Sequence, residues 1–208
     1  MTGEAVLRPG VILDRDNTLI DVVRDEDTGT VHTAFHPSQL RLLPGVIDGL
    51  KWLTAAGYGL AIATNQPGPA KGQISVSAVE RTNQALLDLL AAQGIQIAAF
   101  EVCLHHPSGG SGGDARWVGE CACRKPKPGL LLNCIARGGF EPARTWMLGD
   151  SVSDVQAARA ANVHAALLLP IGRCELCPLR DAAPLAGDAR PDLSAARFDD
   201  LVQAILNH

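Results

Sequence analysis

Short apolar runs recur along this chain, and between them lie longer stretches with helical periodicity. That order constrains the fold more tightly than any other feature of the sequence. Residues 11–13, 59–63, 100–104, 146–148 and 165–169 read as buried strands, each a brief apolar run bounded by turn residues. Between the second and third, Val76, Val79, Leu86, Leu87 and Leu90 fall on one side of a helix, and Ser77 with Glu80 has the spacing of a capping box. Further helices are expected over 45–56, 129–137 and 152–161, the last stopping near Asn162, a residue suited to a C-terminal cap. Strands that alternate with helices imply an α/β fold on a parallel sheet.

Open parallel sheets bind ligands beyond the carboxyl ends of their strands, where loops and helix N-termini converge. Asp14, Thr64 and Asp150 each come directly after an apolar run, so three distant segments are expected to meet at one sheet edge. Asp14-Arg15-Asp16 places two carboxylates there. Desolvation and mutual repulsion disfavour two ionised acids at close range, so a cation, a shared proton or a functional role is expected. Taken alone, the residues also suit a plain turn rich in Asp and Asn.

Four segments follow one another in order: Asp14-Arg15-Asp16-Asn17-Thr18, Thr64-Asn65, Arg124-Lys125-Pro126 and Gly149-Asp150-Ser151-Val152-Ser153-Asp154. Together they resemble the four motifs of the haloacid dehalogenase superfamily, over nearly the whole chain. The resemblance implies a Rossmann-like parallel sheet with helices on both faces, one domain over 1–208 and no large cap domain. It implies a Mg²⁺-dependent phosphatase in which Asp14 is the nucleophile that forms an aspartyl-phosphate. Asp16 is then the general acid and, in the second step, the base. Thr64 donates to a phosphate oxygen, and Lys125 balances the charge of the transferring group. The implied Mg²⁺ ligands are Asp14, Asp150 and the backbone carbonyl of Asp16. Asp154 either supports the metal from behind or is a surface helix residue. Asn17 stands where the resemblance has glycine, and Asn tolerates left-handed backbone angles better than most residues.

Cys103 and His105, then fifteen residues, then Cys121 and Cys123 supply three thiolates and an imidazole, a set that suits tetrahedral zinc. His106 competes with His105 as a ligand, and a core Cys103 with unpaired thiols at 121 and 123 is the alternative. The run Ser108-Gly109-Gly110-Ser111-Gly112-Gly113 has little core of its own, so a metal would organise the loop 103–123. Cys123 adjoins Arg124-Lys125, and a zinc clasp would therefore fix the lysine. Cys174 and Cys177 form a second close pair without an evident second half, read as loop cysteines or a metal or redox pair. Cys134 reads as a small core residue.

Cys103-x-His105-His106-Pro107, the long loop and Cys121-x-Cys123-Arg124-Lys125-Pro126 are similar to the zinc-carrying sugar bisphosphate phosphatases of that superfamily. Histidinol-phosphate phosphatases are near relatives with a typically shorter loop. This narrower resemblance implies cleavage of the 7-phosphate of a heptose 1,7-bisphosphate. Asn65, Arg124 and Lys125 would contact that substrate, with Arg124 on the phosphate that is not cleaved. Pro67-Gly68-Pro69-Ala70 and Ser151 depart from the usual pattern. Receiver modules that store a phosphoryl group share the acids, the Thr and the Lys but lack a second carboxylate two residues on, and Asp16 argues against them. An inactive zinc-stabilised binding module is expected to have lost one of Asp14, Asp16 or Asp150.

A net charge of -4 and a pI near 5.8 leave no basic footprint for nucleic acid or anionic membrane, so the expected partner is a small sugar phosphate. No run approaches the length of a membrane span, and the first ten residues carry no apolar signal core. A cytoplasmic monomer is expected.

Overall fold

The structure, a computed structural model, describes residues 7–27, 29–169 and 190–208; Cys174 and Cys177 lie outside them. Six strands form the main sheet: β1 (Arg8–Leu13), β4 (Gly59–Asn65), β5 (Ala99–Cys103), β6 (Phe140–Gly149), β7 (His164–Leu168) and β8 (Leu193–Ala195). Their order across the sheet is β5-β4-β1-β6-β7-β8, and every pairing is parallel. The chain steps outward from β1 through β4 to β5, then returns to the other side of β1. That reversal opens a crevice at the carboxyl end of β1.

Side chains along each strand alternate between two cores, as the pleat requires. Val11, Leu13, Leu60, Ile62, Trp146 and Leu148 pack on one face with the helices α1 (Val46–Ala55), α2 (Val76–Ala91) and α5 (Phe198–Leu206). Ile12, Ala61, Ala63, Met147 and Ala165 pack on the other with α3 (Gly129–Gly138) and α4 (Val152–Ala160). Burial on both faces explains why the central strands read as unbroken apolar runs. Gly10 pairs with Gly59 in the sheet, and the ring of Phe140 occupies the space above them. A Cβ at either glycine would lie within 2.5 Å of that ring.

Strand β6 begins six residues before the expected 146, because Glu141, Pro142, Ala143 and Arg144 give its first half an exposed, polar character that hides the strand signal. The cap of α2 is Ser75, whose side chain accepts from Ala78 N, and not Ser77 with Glu80. Strand β8 and helix α5 were not expected. Nor was the antiparallel hairpin of β2 (Val23–Asp25) and β3 (Thr30–His32). Among the described residues, that hairpin and a single 3-10 turn are the only regular structure between β1 and α1.

Candidate active site

The crevice at the end of β1 holds a cavity of about 400 Å³ walled by β1, β4, the start of α4 and the hairpin. Asp14 follows β1, Thr64 lies next to the last residue of β4, and Asp150 follows β6, so the sheet topology brings all three to it. Lys125 reaches the same place from the loop before α3. Its Nζ donates to Asp14 Oδ1 and to Ala63 O, both at 2.8 Å, and lies 2.6 Å from Asp154 Oδ1.

Asp154 is buried, which decides against a surface helix residue. Ser151 and Asp154 stand at the start of α4 with capping-box spacing, and Ser151 N and Oγ both donate to Asp154 Oδ2, at 3.1 and 2.5 Å. Gly149 makes room for this carboxylate, since a Cβ there would sit 2.4 Å from Asp154 Cγ. Asp14, Asp150 and Asp154 each bring a carboxylate oxygen within 4.8 Å of the others. Three carboxylates against one ammonium leave two negative charges, the deficit that one divalent cation removes.

The electrostatics carry the same message. Burial raises Asp14 to about 6 even though Lys125 pulls it down. Asp150 rises to about 8, from burial first and then from the charges of Asp14 and Asp154. Burial disfavours the Lys125 ammonium, yet Asp14 and Asp154 outweigh it and hold its pKa above the usual lysine range. Asn17, at φ 55, donates to Asp150 Oδ2 at 2.8 Å, so the left-handed turn that glycine would make is made here by Asn with an added contact.

Asp16 lines the same cavity, and its carboxylate is held by partners outside this trio. Arg15 Nη2 lies 3.0 Å from Asp16 Oδ1, Gln66 Nε2 donates to Oδ2 at 2.5 Å, and the Thr33 hydroxyl donates to Oδ1. Arg15 is itself buried and also donates to Asn83 Oδ1 on α2 at 2.6 Å. The sequence alone assigns no role to Gln66, Thr33 or Arg15. Gln66 had a signal in adjoining Thr64-Asn65, whereas Thr33 had none.

Asn65 and Arg124 occupy less exposed roles than substrate contacts alone would need. Asn65 closes a two-way bond with the Lys125 backbone, donating to its carbonyl at 3.0 Å and accepting from its amide at 3.1 Å. Arg124 donates to His105 O at 3.1 Å and borders a second cavity of about 210 Å³, which shares Lys125 with the first.

Beyond β5 a second candidate metal-ligand group is assembled. Cys103, His105, Cys121 and Cys123 present ligand atoms within 4.8 Å of one another. The sulfur separations are 3.7, 3.1 and 3.3 Å, and His105 Nδ1 lies 3.9 Å from Cys103 and 3.6 Å from Cys123. Tetrahedral zinc with bonds of about 2.3 Å needs sulfur separations of about 3.8 Å, so only small shifts are required. Burial pushes the Cys103 thiol up, and a cation is what would offset the cost of its thiolate. His106 points elsewhere, with its Nδ1 3.3 Å from Ser108 Oγ, while Trp117 packs edge-on against His105. The glycine-rich run is docked and not loose: Gly110 N and Asp114 N donate to the carbonyls of Ala70 and Pro69. Cys134 is a core residue on α3.

A family model of haloacid dehalogenase-like hydrolases matches residues 32–162, more than half of the chain. The chain belongs to that family. It is 37% identical over 163 residues to a D-glycero-beta-D-manno-heptose-1,7-bisphosphate 7-phosphatase of Rhodopseudomonas palustris, covering 78% of this chain and 84% of the relative. Identity to the enzyme of the same name in Escherichia coli is 34% over 180 residues, covering 86% of each. A crystal structure of the D,D-heptose 1,7-bisphosphate phosphatase of B. bronchiseptica, complexed with magnesium and phosphate, superposes with a TM-score of 0.71 at 26% identity. That match covers 95% of this chain and 98% of the other. Among the described residues no helix is long and apolar enough to cross a membrane.

Proposed function

We propose that this hydrolase is a Mg²⁺-dependent phosphatase that removes the 7-phosphate of D-glycero-β-D-manno-heptose 1,7-bisphosphate through an aspartyl-phosphate on Asp14. The observation that carries the reading is the buried Lys125 ammonium bridging Asp14 and Asp154 beside Asp150. Such a cluster is costly to assemble, and it suits a site where an anionic ester must approach a carboxylate. The names of the relatives supply the substrate and its anomer.

Asp14 attacks phosphorus, and Asp16 gives its proton to the leaving sugar oxygen. Water then attacks the acyl phosphate, with Asp16 taking the proton. Thr64 donates to a non-bridging phosphate oxygen, and Lys125 balances the charge that gathers during transfer. Asp14, Asp150 and the Asp16 backbone carbonyl would hold Mg²⁺, which would screen charge between the nucleophile and the phosphate. The position of Asp154 on Lys125 supports a role in holding that lysine.

Cys103, His105, Cys121 and Cys123 bind one structural zinc. The clasp holds the turn that leads into Arg124 and Lys125, with Asn65 fixing the Lys125 backbone from the other side. Arg124, on the cavity that shares Lys125, binds the phosphate that is not cleaved.

A phosphate-release assay tests the reading with both anomers of heptose 1,7-bisphosphate and with histidinol phosphate, each with Mg²⁺ and after its removal. The β-anomer should be hydrolysed fastest, and only with Mg²⁺. Histidinol phosphate as the clearly better substrate would replace the heptose assignment while leaving the chemistry of Asp14 in place.

A further inference from the structure

Gln66 lies just past β4, is only 3% exposed, and sits between two groups of the site. Its Nε2 donates to Asp16 Oδ2 at 2.5 Å and to Thr64 Oγ1 at 2.9 Å. An ionised carboxylate can only accept, so in that form of Asp16 the amide nitrogen of Gln66 and not its oxygen faces it. Both hydrogens of that nitrogen are then used, one on each partner. The backbone below is fixed too, since Gln66 N donates to Cys103 O at 2.7 Å.

The consequence for Thr64 is directional. An oxygen that accepts from Gln66 keeps its own hydrogen for another acceptor, and Thr64 borders the cavity that Asp14 and Asp16 also line. The consequence for Asp16 is rotational. Arg15 is its sequence neighbour and Thr33 belongs to the segment just after the hairpin, whereas Gln66 directly follows β4 and is bonded through its backbone to the end of β5. It ties the carboxylate to the rigid part of the fold.

We propose that Gln66 is a positioning residue whose amide holds the Asp16 carboxylate and the Thr64 hydroxyl in one arrangement. Asp16 is thereby presented to the bridging oxygen of a phosphate ester while Thr64 donates to a non-bridging one. The proposal rests on the reading of Asp16 as the general acid.

The test compares two substrates on one preparation of Gln66→Met, a substitution that keeps the volume and removes the donor. An alkyl phosphate such as the heptose bisphosphate needs a proton on its leaving oxygen. An aryl phosphate with a strongly acidic phenol, such as 2,4-dinitrophenyl phosphate, does not. General acid catalysis contributes roughly 10²- to 10⁴-fold, and a misplaced acid loses part of it. The alkyl kcat/KM should therefore fall by about 10- to 100-fold, while the aryl kcat/KM, which ends at formation of the aspartyl-phosphate and excludes the later step in which Asp16 is the base, changes by less than about threefold. The ratio of the two rates does not depend on how much of the protein is folded, so a purely structural defect lowers both alike and leaves the ratio fixed. That outcome overturns the proposal. Asp16→Asn run beside it separates the two readings. If Asp16→Asn is selective for the alkyl ester in kcat/KM and Gln66→Met is not, only the role of Gln66 falls; if Asp16→Asn lowers both kcat/KM values equally, the acid assignment falls with it.

Discussion

Lys125 and Asp154 pair at 2.6 Å, each with a side chain almost fully removed from solvent, on segments that the sequence keeps well apart. One buried ammonium thus serves two carboxylates, because Asp14 lies at 2.8 Å on its other side. Removing Asp154 leaves Lys125 paired with Asp14 alone, so the loss falls on how the ammonium is positioned. Asp154→Asn should lower kcat by about 10- to 100-fold at saturating Mg²⁺, in the range typical of groups that hold a metal site from behind. Steady-state phosphate release measures it, and an unchanged kcat would reduce Asp154 to a helix cap.

Asp14→Asn keeps the shape of the side chain and removes the nucleophile. Turnover should be lost, while the melting temperature stays close to that of the parent protein or rises, since one of three crowded carboxylates is gone. Phosphate release together with a thermal melt checks both parts. Normal turnover would remove Asp14 from the reaction.

Asp150 gives the clearest prediction for the metal-free chain. Its pKa is raised to about 8, so between about pH 4 and 8 the folded protein binds more protons than the unfolded chain and loses stability as pH rises. Asp150→Asn should flatten much of that slope and raise the metal-free melting temperature at pH 8. Each kcal/mol recovered corresponds to roughly 2–4 °C in a chain of this size. Mg²⁺ should stabilise the parent protein and have little effect on the variant. A melt series over pH, with and without Mg²⁺, reads out all three; a variant less stable than its parent at pH 8 would contradict the charge argument.

The Cys103, His105, Cys121 and Cys123 group should hold one zinc per chain in protein purified without added metal, as elemental analysis can determine. Cys123→Ser should release it and lower both the melting temperature and kcat, because Arg124 N donates to Cys121 Sγ and Lys125 follows directly. Protein without zinc but with full activity would separate the loop from the site.

The strand and helix order, the parallel sheet and the gathering of Asp14, Thr64 and Asp150 at one edge were legible from the sequence. Each depends on local signals: the length of an apolar run, its spacing, and the polar residue that ends it. The start of β6 was hidden by its exposed polar half, and β8 and the hairpin are three-residue strands too short to carry a period. Asn162, expected as a cap, does sit at φ 55 just past α4.

By itself the sequence determined which residue types stand where the strands end, because strand and turn chemistry act over a few neighbours. Tertiary structure alone decided which partners those residues meet. It chose His105 over His106, buried Asp154 against Lys125, spent the Asn65 amide on the Lys125 backbone and brought Gln66 and Thr33 to Asp16. These contacts join segments far apart in the chain, and their geometry is set by how the sheet stacks and where loops dock, which no local periodicity records.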